Sequence, residues 1–383
     1  ISALWQARGG GDYVTAHTVV GYGGAGVKDI SKGVHGYLGA LNEAHVFMTL
    51  AAAAGKTYTV GGIILTHGET DAHNPGYGAA IYQLWQDYNT DLKAVTGQTR
   101  DLVMLASQQS SSPSDYGDSY GSAVQLWQTS VDHPGQIVCT GPKYQYGPYG
   151  LHMSGPSYER MGEKYGEVFD AIVNQKIDWK PLGPNHASRS GAVITIDLDV
   201  PNPPLSWDDN LAKPHQVAHT AWANGRGFEV IDGAKNELTI ASAEIVDSSV
   251  VITLSQAPAA DAALTVGYGL TQDTADAYQG GTDLGPHGQL RDSDDFAGYD
   301  IETIEVNVTN ASTGISVATG GFSHRAAFDW VSGGDLPDGT LVSSILWDGI
   351  TLSEPWPGAT GKAMLTFRHN HNNYCVHFAL PVP

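Results

Sequence analysis

The sequence predicts an α/β fold built on a mainly parallel sheet, followed by one or two β-sandwich modules. Over residues 1–178, apolar runs typical of strands alternate with amphipathic runs typical of helices. Over residues 192–383 the helical period disappears, while strand-like runs between turn residues continue. The segment WKPLGPNHASRSG (179–191) is rich in turn residues and predicts a linker. We expect at least two domains, since 383 residues exceed the size of one hydrophobic core.

Helices and strands alternate through the first region. Apolar residues recur at helical spacing in three segments: 32–56, 78–95 and 157–175. Four other segments are β-branched or apolar runs bounded by turn residues: 15–26, 58–71, 100–111 and 135–142. Apolar strands separated by helices indicate a parallel sheet with helices packed on it. In such a sheet the ligand crevice lies beyond the carboxyl ends of the strands.

The second region consists of short strand-like runs separated by Gly, Asp, Asn and Pro. Six runs have this character: 191–200, 236–255, 262–270, 301–310, 339–349 and 374–382. Such spacing is typical of a β-sandwich or of a pair of small β modules. The stretch 300–370 predicts an inserted module that precedes a closing strand.

Charge and composition exclude several partners. Acidic residues outnumber basic residues by 40 to 19, which gives a formal net charge of −21. Nucleic acid and anionic membranes are therefore excluded, because a polyanion is repelled. No apolar run approaches the ~18 residues of a membrane span. We expect no cofactor, and the sequence is compatible with an oligomer without specifying one.

The two cysteines bear on disulfide formation, and the first residues bear on processing of the N-terminus. Cys139 and Cys375 are far apart and in no metal-ligand spacing, so they predict buried thiols or at most one disulfide. The chain begins with ISALWQAR and carries no signal-peptide pattern. We expect an N-terminal segment to have been lost upstream of Ile1.

Three loops follow predicted strands of the first region and are candidates for an active site: GYGGAG (21–26), THGETDAHN (66–74) and YGPYGLHMS (146–154). A glycine-rich loop offers backbone N–H groups to an oxyanion or a phosphate. The third loop places His152 just before a helix whose first turn suits Pro156. A histidine in such a turn is either a catalytic base or a surface residue, and its spacing alone leaves both open.

The second loop carries four polar residues at alternate positions: His67, Glu69, Asp71 and His73. Alternation places side chains on one side of an extended segment, which suits metal ligands. The spacing matches no established metal motif, however, and solvated loop residues explain it equally well. We predict no metal site and keep a metal hydrolase as the weakest alternative.

Together the three loops resemble the SGNH (GDSL-like) hydrolase superfamily, and within it the carbohydrate O-acetylesterase branch related to sialate O-acetylesterases. Gly23-Gly24 resembles the glycine block of the family. His67-Gly68-Glu69-Thr70-Asp71 resembles its Q-G-E-x-D block, with His in place of Gln. The family's last block resembles the remaining loop and the helix after it: Leu151, His152, Met153, Ser154, Tyr158, Met161 and Gly162. The resemblance covers residues 1 to about 175 and implies a flavodoxin-like three-layer α/β/α sandwich.

The resemblance implies roles for these residues. His152 is the expected catalytic base, and Glu69, Asp71 or Asp132 would orient it. Gly24, with His67 or Thr70, would form the oxyanion hole, and Gly23 and Tyr149 would contact substrate. The family's nucleophile block, G-D-S or G-Q-S, does not occur before Gly24, so the serine is expected upstream of Ile1.

Two departures from the family pattern bear on mechanism. Tyr149 stands where the family has the Asp of its last block, which implies a Ser–His dyad or a carboxylate from elsewhere. The letters GDSYGS (117–122) come after the glycine block, in a polar loop, and are interpreted as coincidence.

The resemblance implies a serine esterase that removes O-acetyl or similar acyl groups from a carbohydrate, in an extracellular or virion-associated protein. The β-rich region would present or bind the glycan, with tryptophans as stacking candidates: Trp207, Trp222, Trp330, Trp347 and Trp356. The alternative is a catalytically degenerate relative that serves as an adhesin, a phage tail component or a carbohydrate-binding scaffold.

Overall fold

A computed structural model describes residues 14–110, 121–146, 152–272, 285–294, 302–317, 330–332, 336, 340–345, 349–352, 355–368 and 372–383. In the first region, helices and strands alternate in the order α1 His35–Ala53, β1 Gly62–Thr66, α2 Tyr77–Thr96, β2 Val103–Gln108, α3 Ser122–Asp132, β3 Ile137–Pro142 and α4 Gly155–Phe169. A π-helical turn, Asp170–Asn174, extends α4.

The three strands form a parallel sheet in the order β1-β2-β3. Alternate residues of β2 enter two different apolar clusters. Met104 and Ala106 pack with residues of α1 and α2, whereas Val103 and Leu105 pack with residues of α4. The predicted α/β arrangement with a parallel sheet is therefore confirmed for this region.

Two elements of the first region differ from the prediction. Residues 14–22 form no strand, although 15–26 is β-branched. Val20 lies instead against α1, where a Cβ added at Gly36 would come within 2.7 Å of the Val20 carbonyl oxygen. Helix α3 was not expected. Its residues Val124, Leu126 and Trp127 are buried, so this short run directly after a polar stretch is amphipathic.

The second region contains short strands: β4 Gly183–Ser190, β5 Val193–Asp199, β6 Ser206–Trp207, β7 Phe228–Asp232, β8 Ile240–Val246, β9 Ser249–Leu254, β10 Leu264–Tyr268, β11 Leu290–Arg291, β12 Glu302–Val308, β13 Gly314–Val317, β14 Trp330–Ser332, β15 Thr340–Ile345, β16 Gly349–Leu352, β17 Gly361–Arg368 and β18 Phe378–Val382. Every strand pair in the second region is antiparallel. The sheets are β4-β5-β9-β8, β18-β10-β7 and β11-β6, and β12 to β17 close into a barrel.

The segment 179–191 is not an unstructured linker. Residues Gly183–Ser190 form β4, which pairs with β5 along its length. A linker was predicted because the segment is rich in turn-forming residues and poor in apolar side chains. Within β4, Ala187 is buried among polar neighbours. The barrel occupies 302–368, the interval expected to hold an inserted module, and the division into domains itself stays a prediction.

One apolar core joins the two regions. Trp127 of α3 and Cys139 of β3 pack in the same cluster as Val230, Val376 and Phe378 of the second region. Both cysteines are free and buried, so the disulfide alternative was wrong. Burial raises the pKa of the Cys139 thiol to about 12 and leaves it protonated at neutral pH.

Candidate active site at the carboxyl edge of the parallel sheet

The loop after β1 is held by its own backbone geometry. Gly68 has φ +118°, and a Cβ there would approach Gln109 and Ser122 to 3.2 Å, so only glycine fits. The Ser122 hydroxyl donates to the Gly68 carbonyl at 2.8 Å. The HGETD segment is thereby fixed against the end of β2 and the start of α3.

Asp71 ties this loop to the glycine loop. Its Oδ2 accepts a 2.6 Å hydrogen bond from the Val27 N–H, and its Oδ1 accepts from the Asn74 amide at 2.8 Å. The Thr70 hydroxyl donates to the Gly24 carbonyl at 3.3 Å, and Gly24 adopts φ +76°. The structure therefore brings together two of the three loops that the sequence selected.

Glu69 ties the same loop to the end of β3. The buried ammonium of Lys143 lies 2.6 Å from Glu69 Oε1. Burial raises the pKa of Glu69, but the Lys143 ammonium outweighs burial and holds that pKa below its usual value. Glu69 is therefore ionised at neutral pH and paired with the Lys143 ammonium.

His67 sits behind this ion pair. Its Nδ1 lies 3.2 Å from the Tyr77 hydroxyl, and the two rings are stacked at 5.8 Å. Burial lowers the pKa of His67, and Asp71 and Glu69 oppose that shift without reversing it. At neutral pH His67 is therefore an uncharged imidazole. Its Nε2 is buried and lies 3.9 Å from Asp71 Oδ2.

His152 stands on the surface at the start of α4. Met153 is buried in the apolar cluster beneath the helix, while Ser154 caps the helix by accepting from the Ser157 N–H. Pro156 occupies the first turn, as predicted. His152 itself is exposed and, within the part of the chain that the structure describes, makes no hydrogen bond or ion pair.

The carboxylates expected to orient His152 have other partners. Glu69 binds Lys143, and Asp71 binds Val27 and Asn74. Asp132 is the exposed last residue of α3, before β3 begins, and so lies at the amino edge of the sheet. Tyr149 and Ile1, together with residues 117–120 of the GDSYGS segment, lie outside the described residues. Gly23 is exposed, with nothing close to where a side chain would be.

Sequence reasoning missed four residues around this edge: Tyr77, Ser110, Lys143 and His377. The Ser110 hydroxyl and His377 Nε2 are 2.8 Å apart and buried, and the Lys143 N–H donates to Ser110 Oγ at 3.2 Å. Burial lowers the pKa of His377 to about 4, so this imidazole is uncharged. Lys143, a lone lysine directly after a strand, was the one local signal in the sequence that could have indicated this group. His377 could not be found in this way, because it lies 267 residues from Ser110.

The described residues offer no obvious metal or membrane feature. No group of three or more His, Cys, Asp or Glu side chains in the described ranges is placed to hold a metal ion. The helices in those ranges are too short or too polar to cross a membrane.

The tryptophans proposed to stack on sugars have different environments. Trp222 and Trp356 are buried, which leaves no ring face for a sugar. Trp207 is partly exposed, but the Arg226 guanidinium lies 4.7 Å from its ring centre. Trp347 and the side chain of Trp330 lie outside the described residues.

Comparisons with known proteins give distant likenesses. No protein-family profile and no curated protein matches the chain. A carbohydrate acetylesterase from Xanthomonas citri matches over 61% of this chain and 50% of its own, at 15% identity and a TM-score of 0.39. The N-terminal part of the bacterial S-layer protein SbsC matches over 60% and 50%, at 12% identity and a TM-score of 0.18. The chain thus spans about half the length of each structure, and at these scores neither likeness assigns a fold or an activity.

Proposed function

We propose that the chain is a serine esterase that removes O-acetyl or similar acyl groups from a carbohydrate through an acyl-enzyme. The supporting observation is the HGETD loop, whose Asp71 holds the glycine loop and whose Glu69 holds the end of β3. We further propose an SGNH-like three-layer sandwich with β-sandwich modules appended to it. The site would then lie at the edge where parallel-sheet enzymes bind their ligands.

In this mechanism His152 is the general base. It takes the proton from a serine supplied upstream of Ile1, and that serine attacks the acyl carbonyl. The Gly24 N–H and the neutral His67 imidazole or the Thr70 hydroxyl stabilise the oxyanion, at roughly 3 kcal/mol per donor. The ester bond to the sugar then breaks, and the sugar oxygen leaves with the proton that His152 took from the serine. Water activated by His152 hydrolyses the acyl-enzyme, which releases the free acid and restores the serine hydroxyl. Gly23 and Tyr149 contact the substrate.

Glu69 and Asp71 act indirectly in this proposal. Because each carboxylate already has partners, His152 works in a Ser–His dyad, and the two acids fix the loops that carry the oxyanion donors. An exposed base suits a bulky polysaccharide substrate, which cannot enter a closed pocket. The acidic surface excludes polyanionic partners, and we place the protein outside the cell or on a virion.

The test is an assay of 4-nitrophenyl acetate and an acetylated polysaccharide with the full-length protein, including any residues upstream of Ile1. We expect acetate release to fall at least about 100-fold in His152→Ala. His45→Ala, an exposed histidine on α1, is the matched control and should retain activity. Equal activity in wild type and His152→Ala would remove His152 from the mechanism.

A second candidate is a degenerate relative that binds carbohydrate without hydrolysing it. The observation that favours it is the absence, among the described residues, of a carboxylate hydrogen-bonded to His152. No acetate release, together with retention on an immobilised polysaccharide, would decide for this function. Acetate release that survives EDTA would remove the metal-hydrolase alternative.

A further inference from the structure

A buried charged cluster joins α4 to the second region. On α4, Lys164 Nζ lies 2.8 Å from Glu167 Oε2. Across the interface, the same ammonium lies 3.8 Å from Asp294 Oδ2 and donates to the Asn373 side-chain oxygen at 3.1 Å. All four side chains are buried.

Asp292 belongs to the same cluster. Its Oδ2 accepts from the Asn373 amide at 2.8 Å, and its Oδ1 accepts from the Asn373 N–H at 2.8 Å and from the Asp294 N–H at 3.2 Å. The Asn202 N–H also donates to Oδ2, at 3.0 Å. These bonds favour an ionised Asp292, although burial raises its pKa from the usual value.

Among the described residues of this cluster, carboxyl groups outnumber ammonium groups. Glu167, Asp292 and Asp294 supply three carboxyl groups, and Lys164 Nζ lies 2.8 Å from Glu167 Oε2 and 3.8 Å from Asp294 Oδ2. Two buried carboxylates that face each other share a proton rather than both ionise. Glu167 and Asp294 stand in this relation, because they face each other and are joined by a side-chain hydrogen bond.

The groups that face Glu167 come from three elements. Lys164 faces it from α4 and Asp294 from the loop after β11. The turn after β3 brings Tyr146 close enough to sense the Glu167 charge, and the buried Arg160 guanidinium of α4 lies 6.0 Å from the centre of the Tyr146 ring. Burial raises the pKa of Glu167 to about 7, Asp294 adds to the shift, and Lys164 opposes it. Glu167 therefore holds a proton in mildly acidic solution.

We infer that the Glu167–Asp294 contact is a pH-dependent latch that holds α4 against the second region in mildly acidic solution and weakens when Glu167 ionises. In the protonated state the Glu167 carboxyl donates to Asp294, and one ammonium faces the remaining negative charge. In the ionised state two carboxylates, both in contact with the Lys164 ammonium, face each other across the interface.

The direction of the pH effect follows from proton binding. Native Glu167 keeps its proton up to a pH of about 7, whereas the unfolded chain releases it near 4.5. The native state therefore binds more protons between these values, and stability falls as pH rises through them. The stabilisation is complete below about pH 4.5 and is lost above about pH 7, a full change of roughly 300-fold in the unfolding equilibrium constant.

Glu167→Gln tests the latch, because a glutamine amide also donates to Asp294 and does not ionise. Urea denaturation of wild type and variant from pH 4.5 to 8.5 should show the variant gaining roughly a hundredfold in relative stability as pH rises. Glu159→Gln, an exposed position on the same helix, is the control and should follow wild type. Parallel pH curves for wild type and Glu167→Gln would overturn the latch.

A second variant and an independent measurement keep the proposal testable if Glu167→Gln does not fold. Asp294→Asn removes the facing charge and should move the transition of wild type to lower pH. In the wild-type chain, carbon-13 NMR of the glutamate carboxyl groups should show one resonance titrating near pH 7. If no glutamate titrates above pH 6, the proposal fails whatever the variants do. Since none of these measurements uses enzyme activity, they are independent of the proposed esterase.

Discussion

Two Glu–Lys pairs in this molecule have similar contact distances, but the pKa values of their two glutamates are shifted in opposite directions. Lys143 lies 2.6 Å from Glu69 at the edge of the parallel sheet, and Lys164 lies 2.8 Å from Glu167 between α4 and the second region. The pKa of Glu69 lies below its usual value, whereas that of Glu167 is raised to about 7. The contact distance therefore does not decide the protonation state.

The two pairs differ in what surrounds them. The Glu69 side chain is 23% exposed and faces the Lys143 ammonium, whereas Glu167 is 12% exposed and shares Lys164 with Asp294. Burial penalises the ionised form in both places, and a competing carboxylate adds to that penalty only at Glu167. The protonation state of a buried ion pair therefore depends more on the neighbouring charges than on the distance between the two partners.

Removing the cation of the more deeply buried cluster should have the largest effect. Lys164→Met removes the buried ammonium that contacts Glu167 and Asp294, and we expect a loss of about 3–5 kcal/mol in the free energy of unfolding at pH 8. Urea denaturation measures it. The loss should shrink at pH 5, and adding Glu167→Gln should restore part of it. A loss under about 1 kcal/mol would contradict this account of the cluster.

Removing the cation at the sheet edge should cost less. Lys143→Met leaves Glu69 with partial access to water, and we expect a loss of about 1–3 kcal/mol. Lys93→Met is a matched control, because Lys93 also lies 2.6 Å from its acid, Asp101, but on the surface. That control should lose under about 1 kcal/mol. Equal losses in the two variants, measured by urea denaturation, would show that burial does not distinguish these pairs.

A neutral hydrogen bond in the same loop should matter less than the ion pair. Tyr77→Phe removes the hydroxyl that lies 3.2 Å from His67 Nδ1 and leaves the buried ring otherwise unchanged. We expect a loss of about 1 kcal/mol in the free energy of unfolding. A loss larger than that of Lys143→Met would reverse the order proposed for this edge.

His152→Ala should leave stability unchanged within about 0.5 kcal/mol, because the side chain is exposed and makes no hydrogen bond or ion pair within the described part of the chain. Thermal denaturation measures this effect. The result matters for the assay described above, since loss of activity in a fully stable variant must arise at the site. A large loss of stability would show that His152 is structural.

The sequence predicted the parallel sheet because β1, β2 and β3 are apolar runs, and such runs need no tertiary information to be recognised. The sequence-based prediction was wrong where contacts with distant parts of the chain determine the secondary structure. Residues 14–22 are β-branched like a strand, yet Val20 packs on glycines of α1 instead of pairing. Gly183–Ser190 has the composition of a loop, yet pairs with β5.

For the candidate site, the sequence selected loops and could not assign partners. Asp71 and Glu69 stood out by their spacing, but their partners, Val27 and Lys143, lie 44 and 74 residues away. A lone lysine after a strand has no pattern that marks it as the counter-ion of a particular acid. The role of His152 stays a prediction, because its placement at a helix start is equally suited to a base and to a surface residue.

The contact between Gln108 and His377 has a consequence for synthesis of the chain. The Gln108 amide donates to the His377 carbonyl, and its side-chain oxygen accepts the His377 N–H, both across 269 residues. At ribosomal rates of about 5–20 residues per second, those residues take roughly 15–50 s to emerge. During that interval the Gln108 side chain lacks both of its bonds to His377, so the hydrogen bonding at the end of the central strand is completed only after the segment that carries His377 has been synthesised.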